Sequence, residues 1–156
     1  MKWIALLLFS IALRASADTL NGTVVRIADG DTLTILDTRK RERHVRLAQI
    51  DAPERGQGFG AQSRQSLAGL CFRKPAIVEW HERDTHKRYI GQVACAGVDA
   101  NAEQVRRGMA WVSPRSTEAG SPLYELEAYA RLRALGLWAD SRAIPPWEWR
   151  TSKAAR

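Results

Sequence analysis

Cysteine is scarce in this sequence: Cys71 and Cys95 are the only two among 156 residues. Neither has a second cysteine or a histidine at ligand spacing, which argues against a zinc site. Long apolar runs are scarce too. The one at the start, Trp3 to Leu13, is about half of the roughly 20 residues that span a bilayer, and no later segment could cross one. No internal repeat, low-complexity stretch or second domain is visible. Acidic residues are in deficit, 17 Asp and Glu against 24 Lys and Arg, for a formal charge of +7. That balance suits a polyanionic partner by long-range attraction but does not identify one.

The remaining composition, 45% hydrophobic and 26% charged, is that of one globular domain with a real core. Residues 1–17 differ in kind: Lys2, the apolar run, then Ala15-Ser16-Ala17 in the small-x-small form of a signal-peptidase site. Cleavage is expected after Ala17, leaving a basic mature chain that is exported to a periplasm or secreted, with no membrane attachment. An uncleaved anchor is the alternative, disfavoured by the short run. In a chain that leaves the cytoplasm, Cys71 and Cys95 are expected to form one disulfide; two buried free thiols are the other reading.

Leu20 to Ile27 reads as a strand, Ala28-Asp29-Gly30-Asp31 as a hairpin turn, and Thr32 to Leu36 as the return strand. A polar turn leads to a third strand, Glu42 to Leu47. Gly60 to Cys71 has helical spacing, with Leu67, Leu70 and Cys71 inward. Pro75 to Trp80 and Tyr89 to Cys95 are two more strands around a charged turn. A second helix is expected over Ala102 to Arg107 with Asn101 as N-cap. A third follows Ser121-Pro122, its stripe being Leu123, Leu126, Ala130, Ala134 and Leu137. The tail, 141–156, with Pro145-Pro146-Trp147-Glu148-Trp149, is expected to be extended, and residues 151–156 disordered. Links too short for crossovers make the fold class α+β, mainly β: a five-stranded OB-type β-barrel with three helices over residues 18–140.

Chemistry concentrates between Val45 and Glu54. Val45 and Leu47 alternate inward on the third strand, which turns Arg46 the other way. Ala52-Pro53 then stiffens the loop that displays Asp51 and Glu54. Asp31 in the hairpin turn and Arg88 in the charged turn complete the candidate constellation. Two guanidiniums suit phosphate oxygens, each as a planar fork that stays charged, and two carboxylates suit a hard divalent cation. Read alone, Asp29 and Asp31 are ordinary turn residues, and Arg46, Arg88 and Glu54 ordinary surface charges; it is their company that points to catalysis.

Asp29-Gly30-Asp31-Thr32, Arg46-Leu47, Ile50 to Glu54, Asp84 to Val93, Gly108 to Trp111 and Gly136-Leu137-Trp138 together resemble the thermonuclease family, the homologues of staphylococcal nuclease. The resemblance covers nearly all of residues 20–140 in order. It implies that Asp31, Asp51 and the main-chain carbonyl of Ala52 bind calcium; from ligand type alone magnesium fits equally. It implies that Arg46 and Arg88 hold the phosphate and Glu54 is the general base. The expected enzyme is an endonuclease acting as a monomer on DNA and RNA, single strands preferred, leaving 3′-phosphates. Where the family commonly has Asp-x-Tyr-Gly-Arg, this chain reads Asp84-Thr85-His86-Lys87-Arg88, so His86 and Lys87 become candidate substrate contacts. Arg88 is kept as the match because Gly91-Gln92-Val93 then fall in register, with Arg83 as the fallback. After Trp111, Val112-Ser113-Pro114 lacks the tyrosines the family often has there. The competing readings are a non-catalytic OB-fold module that binds single-stranded nucleic acid or another polyanion, and a cationic envelope protein. An acidic cluster facing an anionic ligand argues against a pure binder, and the absence of an amphipathic membrane helix against the second.

Overall fold

The computed structural model describes residues 18–155. The signal-peptide reading and its cleavage site lie outside the described residues, as does Arg156. Strands β1 (Asp18–Ile27), β2 (Thr32–Asp37) and β3 (Glu42–Leu47) form the expected meander. Antiparallel register sets Ile27 opposite Leu33 and Thr32 opposite Arg46. The two-residue strand β4 (Ile50–Asp51) precedes α1 (Gly60–Cys71). Strands β5 (Pro75–Arg83) and β6 (Tyr89–Cys95) follow, β5 pairing with β1 on one side and β6 on the other. Parallel pairing of β3 with β6, Val45 opposite Tyr89 and Leu47 opposite Gly91, closes the five-stranded mixed barrel.

Period-2 alternation fills that barrel: Val24, Leu33, Ile35, Val45, Val78 and Val93 are wholly buried. Leu67 and Leu70 of α1 cap one end, and the Cys71–Cys95 disulfide ties the end of α1 to β6. Gly91 sits where strands approach too closely for a side chain, since a Cβ there would lie 2.5 Å from the Glu79 carbonyl oxygen.

A small strand β7 (Val98–Asp99) leads into α2 (Ala100–Arg106). Asn101 is not its N-cap. The helix begins earlier than its apolar pattern suggests, and Asp99 accepts the capping hydrogen bond from the Ala102 N–H at 3.0 Å. Asn101 is instead fully buried: its amide donates to the Ala48 carbonyl at 2.9 Å and accepts from the Val93 N–H at 3.0 Å. Trp111–Val112 forms β8, which pairs with β4.

Helix α3 (Leu123–Leu132) is shorter than its apolar stripe. Ala134 takes a left-handed conformation, φ 50°, which stops the helix, and Leu137 reaches the core from a 3-10 helix over Gly136–Ala139. The tail is not extended. Pro146 occupies the first turn of α4 (Pro146–Ala154), with Glu148 near its N-terminus and Lys153 near its C-terminus, and most of the segment expected to be disordered is helical. No helix among the described residues is long and apolar enough to cross a membrane.

Candidate active site

The turn between β1 and β2 is held by its own polar atoms. Asp29 Oδ1 accepts from the Asp31 N–H at 3.0 Å, and the Ala28 N–H donates to the Thr32 carbonyl at 2.9 Å. Gly30 is required by crowding, because a Cβ there would meet Ser63 Oγ and the Cβ of Ala52. The turn thus sits directly on α1 and on the loop after β4. Its product is a buried Asp31, 2% exposed. Oδ1 accepts from Arg46 Nη1 at 2.8 Å and from Thr32 Oγ1 at 2.9 Å, and Oδ2 accepts from the Ala52 N–H at 2.7 Å.

Arg46 reaches Asp31 because the β2–β3 register sets it opposite Thr32. Its other terminal nitrogen, Nη2, donates to Asp51 Oδ1 at 3.0 Å, so one fork joins a carboxylate of the β1–β2 turn to one of β4. Asp51 stays in reach because β4 pairs with β8, Asp51 opposite Trp111, after a sharp turn in which Gln49 is left-handed, φ 66°. Burial pushes the Asp31 carboxyl well above its ordinary pKa, against the pull of Arg46 and with Asp29 and Asp51 adding to the push. Desolvation opposes the charge on Arg46 as well, yet Asp31 and Asp51 hold its pKa above the ordinary arginine value.

Glu54 projects from the loop after Pro53. Gln57 Oε1 accepts from its N–H at 3.1 Å, and the Gln57 N–H donates to its carbonyl at 2.9 Å. Arg88 comes from the β5–β6 turn, where Asp84 Oδ1 accepts from the N–H groups of His86 and Arg88, both at 2.9 Å, and Oδ2 accepts from Arg88 Nε at 2.8 Å. Burial would raise the Asp84 carboxyl, but the main-chain and side-chain bonds from Arg88 bring it below its ordinary pKa. The turn keeps this geometry without the family's glycine because Lys87 itself adopts φ 62°.

Asp29, Asp31, Arg46, Asp51, Ala52, Glu54, His86 and Arg88 all border one cleft of about 380 Å³. Lys87 is not on its wall, nor is Arg83, whose guanidinium lies 4.1 Å from the Tyr89 ring centroid and donates to the Tyr89 hydroxyl. One wall residue escaped the sequence reading altogether. Arg150 of α4 donates through Nη2 to Asp51 Oδ2 at 2.7 Å and through Nη1 to Asp51 Oδ1 at 3.3 Å and Glu54 Oε1 at 2.7 Å. Its pKa is raised above the ordinary arginine value, the Asp51 bond leading, desolvation opposing and Glu54 adding. Pro146 stands at the helix start, but no local pattern aims Arg150 at residues 96 and 99 positions away.

The donor set is consistent with a hard cation. No group of three or more His, Cys, Asp or Glu side chains that could hold a metal is found among the described residues. Asp31 and Asp51 are nonetheless two buried carboxylates sharing one Arg46, and burial disfavours the Asp31 anion. A divalent cation with oxygen ligands would relieve that deficit. Asp31, Asp51 and the Ala52 carbonyl would hold it, leaving positions for water or phosphate.

Residues 44–140 match a family model described as staphylococcal nuclease homologue. The chain is 39% identical over 154 residues to a protein named uncharacterized endonuclease in Escherichia coli, covering 97% of this chain and 99% of that one. It is 45% identical over 141 residues to a protein named micrococcal nuclease in Shigella flexneri, covering 83% and 79%. It is 36% identical over 146 residues to an uncharacterized endonuclease of Haemophilus influenzae, covering 93% and 81%. The family model begins at His44, beyond Asp31.

Proposed function

The chain belongs to the staphylococcal nuclease homologues and is a nuclease of that family, and on this premise we propose that it is an exported, calcium-dependent endonuclease of DNA and RNA that leaves 3′-phosphate ends. The observation that carries the residue assignment is the convergence of Asp31, Arg46, Asp51, Glu54 and Arg88 on one cleft. In this reading single strands are the preferred substrate and a monomer is the working unit, since all five of these residues come from one chain. Export after cleavage at Ala17 is supported by the disulfide, a bond that persists in oxidising compartments.

Phosphodiester hydrolysis sets water against an anion that repels nucleophiles, and negative charge builds on the phosphoryl oxygens in the transition state. Arg46 and Arg88, from β3 and from the β5–β6 turn, answer that charge with planar N–H donors bordering the cleft. Arg46 spends one direction of Nη1 and one of Nη2 on Asp31 and Asp51, which fixes its plane and leaves further N–H groups for the substrate. Glu54 takes the proton from the attacking water. Its Oε1 is engaged by Arg150, and Oε2, with no protein partner among the described residues, is the basic oxygen. A positioned base of this kind contributes about 10²- to 10⁴-fold. Asp31, Asp51 and the Ala52 carbonyl would hold the divalent cation, which when bound would supply Lewis-acid polarisation. His86, which borders the same cleft, is in this reading a contact for the nucleotide.

Cleavage of heat-denatured DNA and of RNA, with calcium, with magnesium and with a chelator, tests this reading beside Glu54→Gln and Arg88→Lys proteins. Calcium-dependent cutting with 3′-phosphate ends that falls at least 100-fold in the Glu54 variant is the expected result. Cutting that survives the chelator, or is unchanged in both variants, overturns the assignment.

A further inference from the structure

Helix α4 is anchored to the catalytic body by more than one contact. Pro146 is buried, Gln57 Nε2 donates to the Ile144 carbonyl at 2.7 Å, and Trp149 borders a cleft with Phe59 and Trp111. The buried Pro146 and the Gln57–Ile144 bond tether the start of α4, and the residue the helix delivers to the cleft is Arg150. Asp51 is thereby gripped from two sides, by Arg46 on Oδ1 and by the Arg150 fork on both oxygens.

Glu54 depends on the same fork. Its side chain is 42% exposed, and among the described residues its carboxylate has no other hydrogen-bond partner. Asp51 and Glu54 both accept from Nη1 of Arg150, so two like charges are drawn to a single nitrogen. Without a bridging cation they repel, and among the described residues no other hydrogen bond keeps the Glu54 carboxylate from swinging to solvent.

Charge leads to the same conclusion. The cleft wall carries four carboxylates, Asp29, Asp31, Asp51 and Glu54, against three guanidiniums, Arg46, Arg88 and Arg150. With a divalent cation added, the balance is positive by one charge. Without Arg150 it would be zero, a poor field for a polyanion.

Resting on the nuclease reading above, we propose that Arg150 is a positioning residue of the active site: α4 carries it there to hold the Asp51 and Glu54 carboxylates at catalytic spacing and to make the cation-loaded cleft net positive for phosphate. A lysine cannot replace it, because one ammonium lacks the planar fork that bonds Asp51 twice and Glu54 at once.

The test compares the parent protein with Arg150→Gln and Arg150→Lys, each checked for an unchanged circular dichroism spectrum. The measurements are calcium affinity by calorimetry without substrate, and kcat and KM on a single-stranded oligonucleotide. Removing a cation that competes for Asp51 should tighten calcium binding about 5- to 10-fold in Arg150→Gln. Loss of Glu54 positioning should lower kcat about 10- to 100-fold in both variants, and KM should rise in Arg150→Gln. Tighter calcium with a raised kcat would overturn the proposal and make α4 an inhibitory plug. Unchanged calcium affinity and unchanged kcat would overturn it as well. A parent that binds calcium more weakly than Arg150→Gln yet never cuts would defeat the nuclease reading while leaving the Arg150 contact to Asp51 intact, so the two failures are distinguishable.

Discussion

Gln104 Nε2 donates to the Gly30 carbonyl oxygen at 2.7 Å, joining a fully buried amide of α2 to the turn that presents Asp31. The same nitrogen donates to the Ser63 carbonyl at 3.1 Å, so α1, α2 and the turn meet at one side chain. Gln104→Met keeps the volume and leaves two buried carbonyls without that donor. It should cost about 1–3 kcal/mol in urea unfolding, and it should lower kcat because the backbone under Asp31 loses its tether. A variant as stable and as active as the parent would show that Gln104 does not hold the turn.

Calcium should stabilise the protein in proportion to its occupancy. At a calcium concentration about 100-fold above Kd, linkage gives about 2.7 kcal/mol, or a rise of about 5–10 °C in Tm for a domain of this size. Differential scanning calorimetry with and without calcium measures it. Asp31→Asn and Asp51→Asn should each abolish most of the rise, whereas a rise retained in both would place the cation elsewhere.

Much of this site was legible in the sequence, and the reason is local. Arg46 and Asp51 lie five residues apart, on β3 and on the short β4 beyond the intervening turn, and Asp31 ends a tight hairpin, so period-2 alternation and short connections nearly determine their meeting. Asn101 and Gln104 were not legible, because a buried amide on a helix looks like surface until one knows which carbonyls it faces. The end of α3 is not visible in its apolar pattern, because Leu137 continues the stripe in sequence while Ala134, at φ 50°, breaks the backbone. Arg150 was hidden twice over: Pro145-Pro146 reads as extended chain although it starts α4, and the docking of that helix across 96 to 99 positions is a tertiary event.

Acid stability should depend on Asp37. Its carboxylate accepts from the Arg39 and Arg41 N–H groups, both at 2.9 Å, and from Nε of Arg41 and Arg43 at 3.1 and 3.0 Å. The Arg41 main-chain bond leads in holding its pKa well below the usual carboxylate range. A lowered folded-state pKa means stability that is fully present above the unfolded value, about 4, and lost as pH falls through the folded one. Glu103, drawn down to about 2 first by its Arg106 bond, adds to the same window. Tm should therefore fall steeply below about pH 4. Asp37→Asn should be less stable at pH 6 with a shallower fall, the two curves converging in strong acid. Parallel curves would remove Asp37 from the acid transition.

Lys87 has a strained backbone. At φ 62° it occupies the left-handed region that costs a residue with a Cβ about 1–2 kcal/mol, and its N–H donates to the Asp84 carbonyl at 2.9 Å to close the turn that carries Arg88. Lys87→Gly would relieve the strain but loosen the unfolded chain, which returns about 0.5–1 kcal/mol. The net expectation is a gain of up to about 1 kcal/mol over Lys87→Ala, which removes the same charge and keeps the Cβ. Comparing the two variants by chemical denaturation isolates the backbone contribution from the charge. If Lys87→Gly is no more stable than Lys87→Ala, the turn carries no such strain.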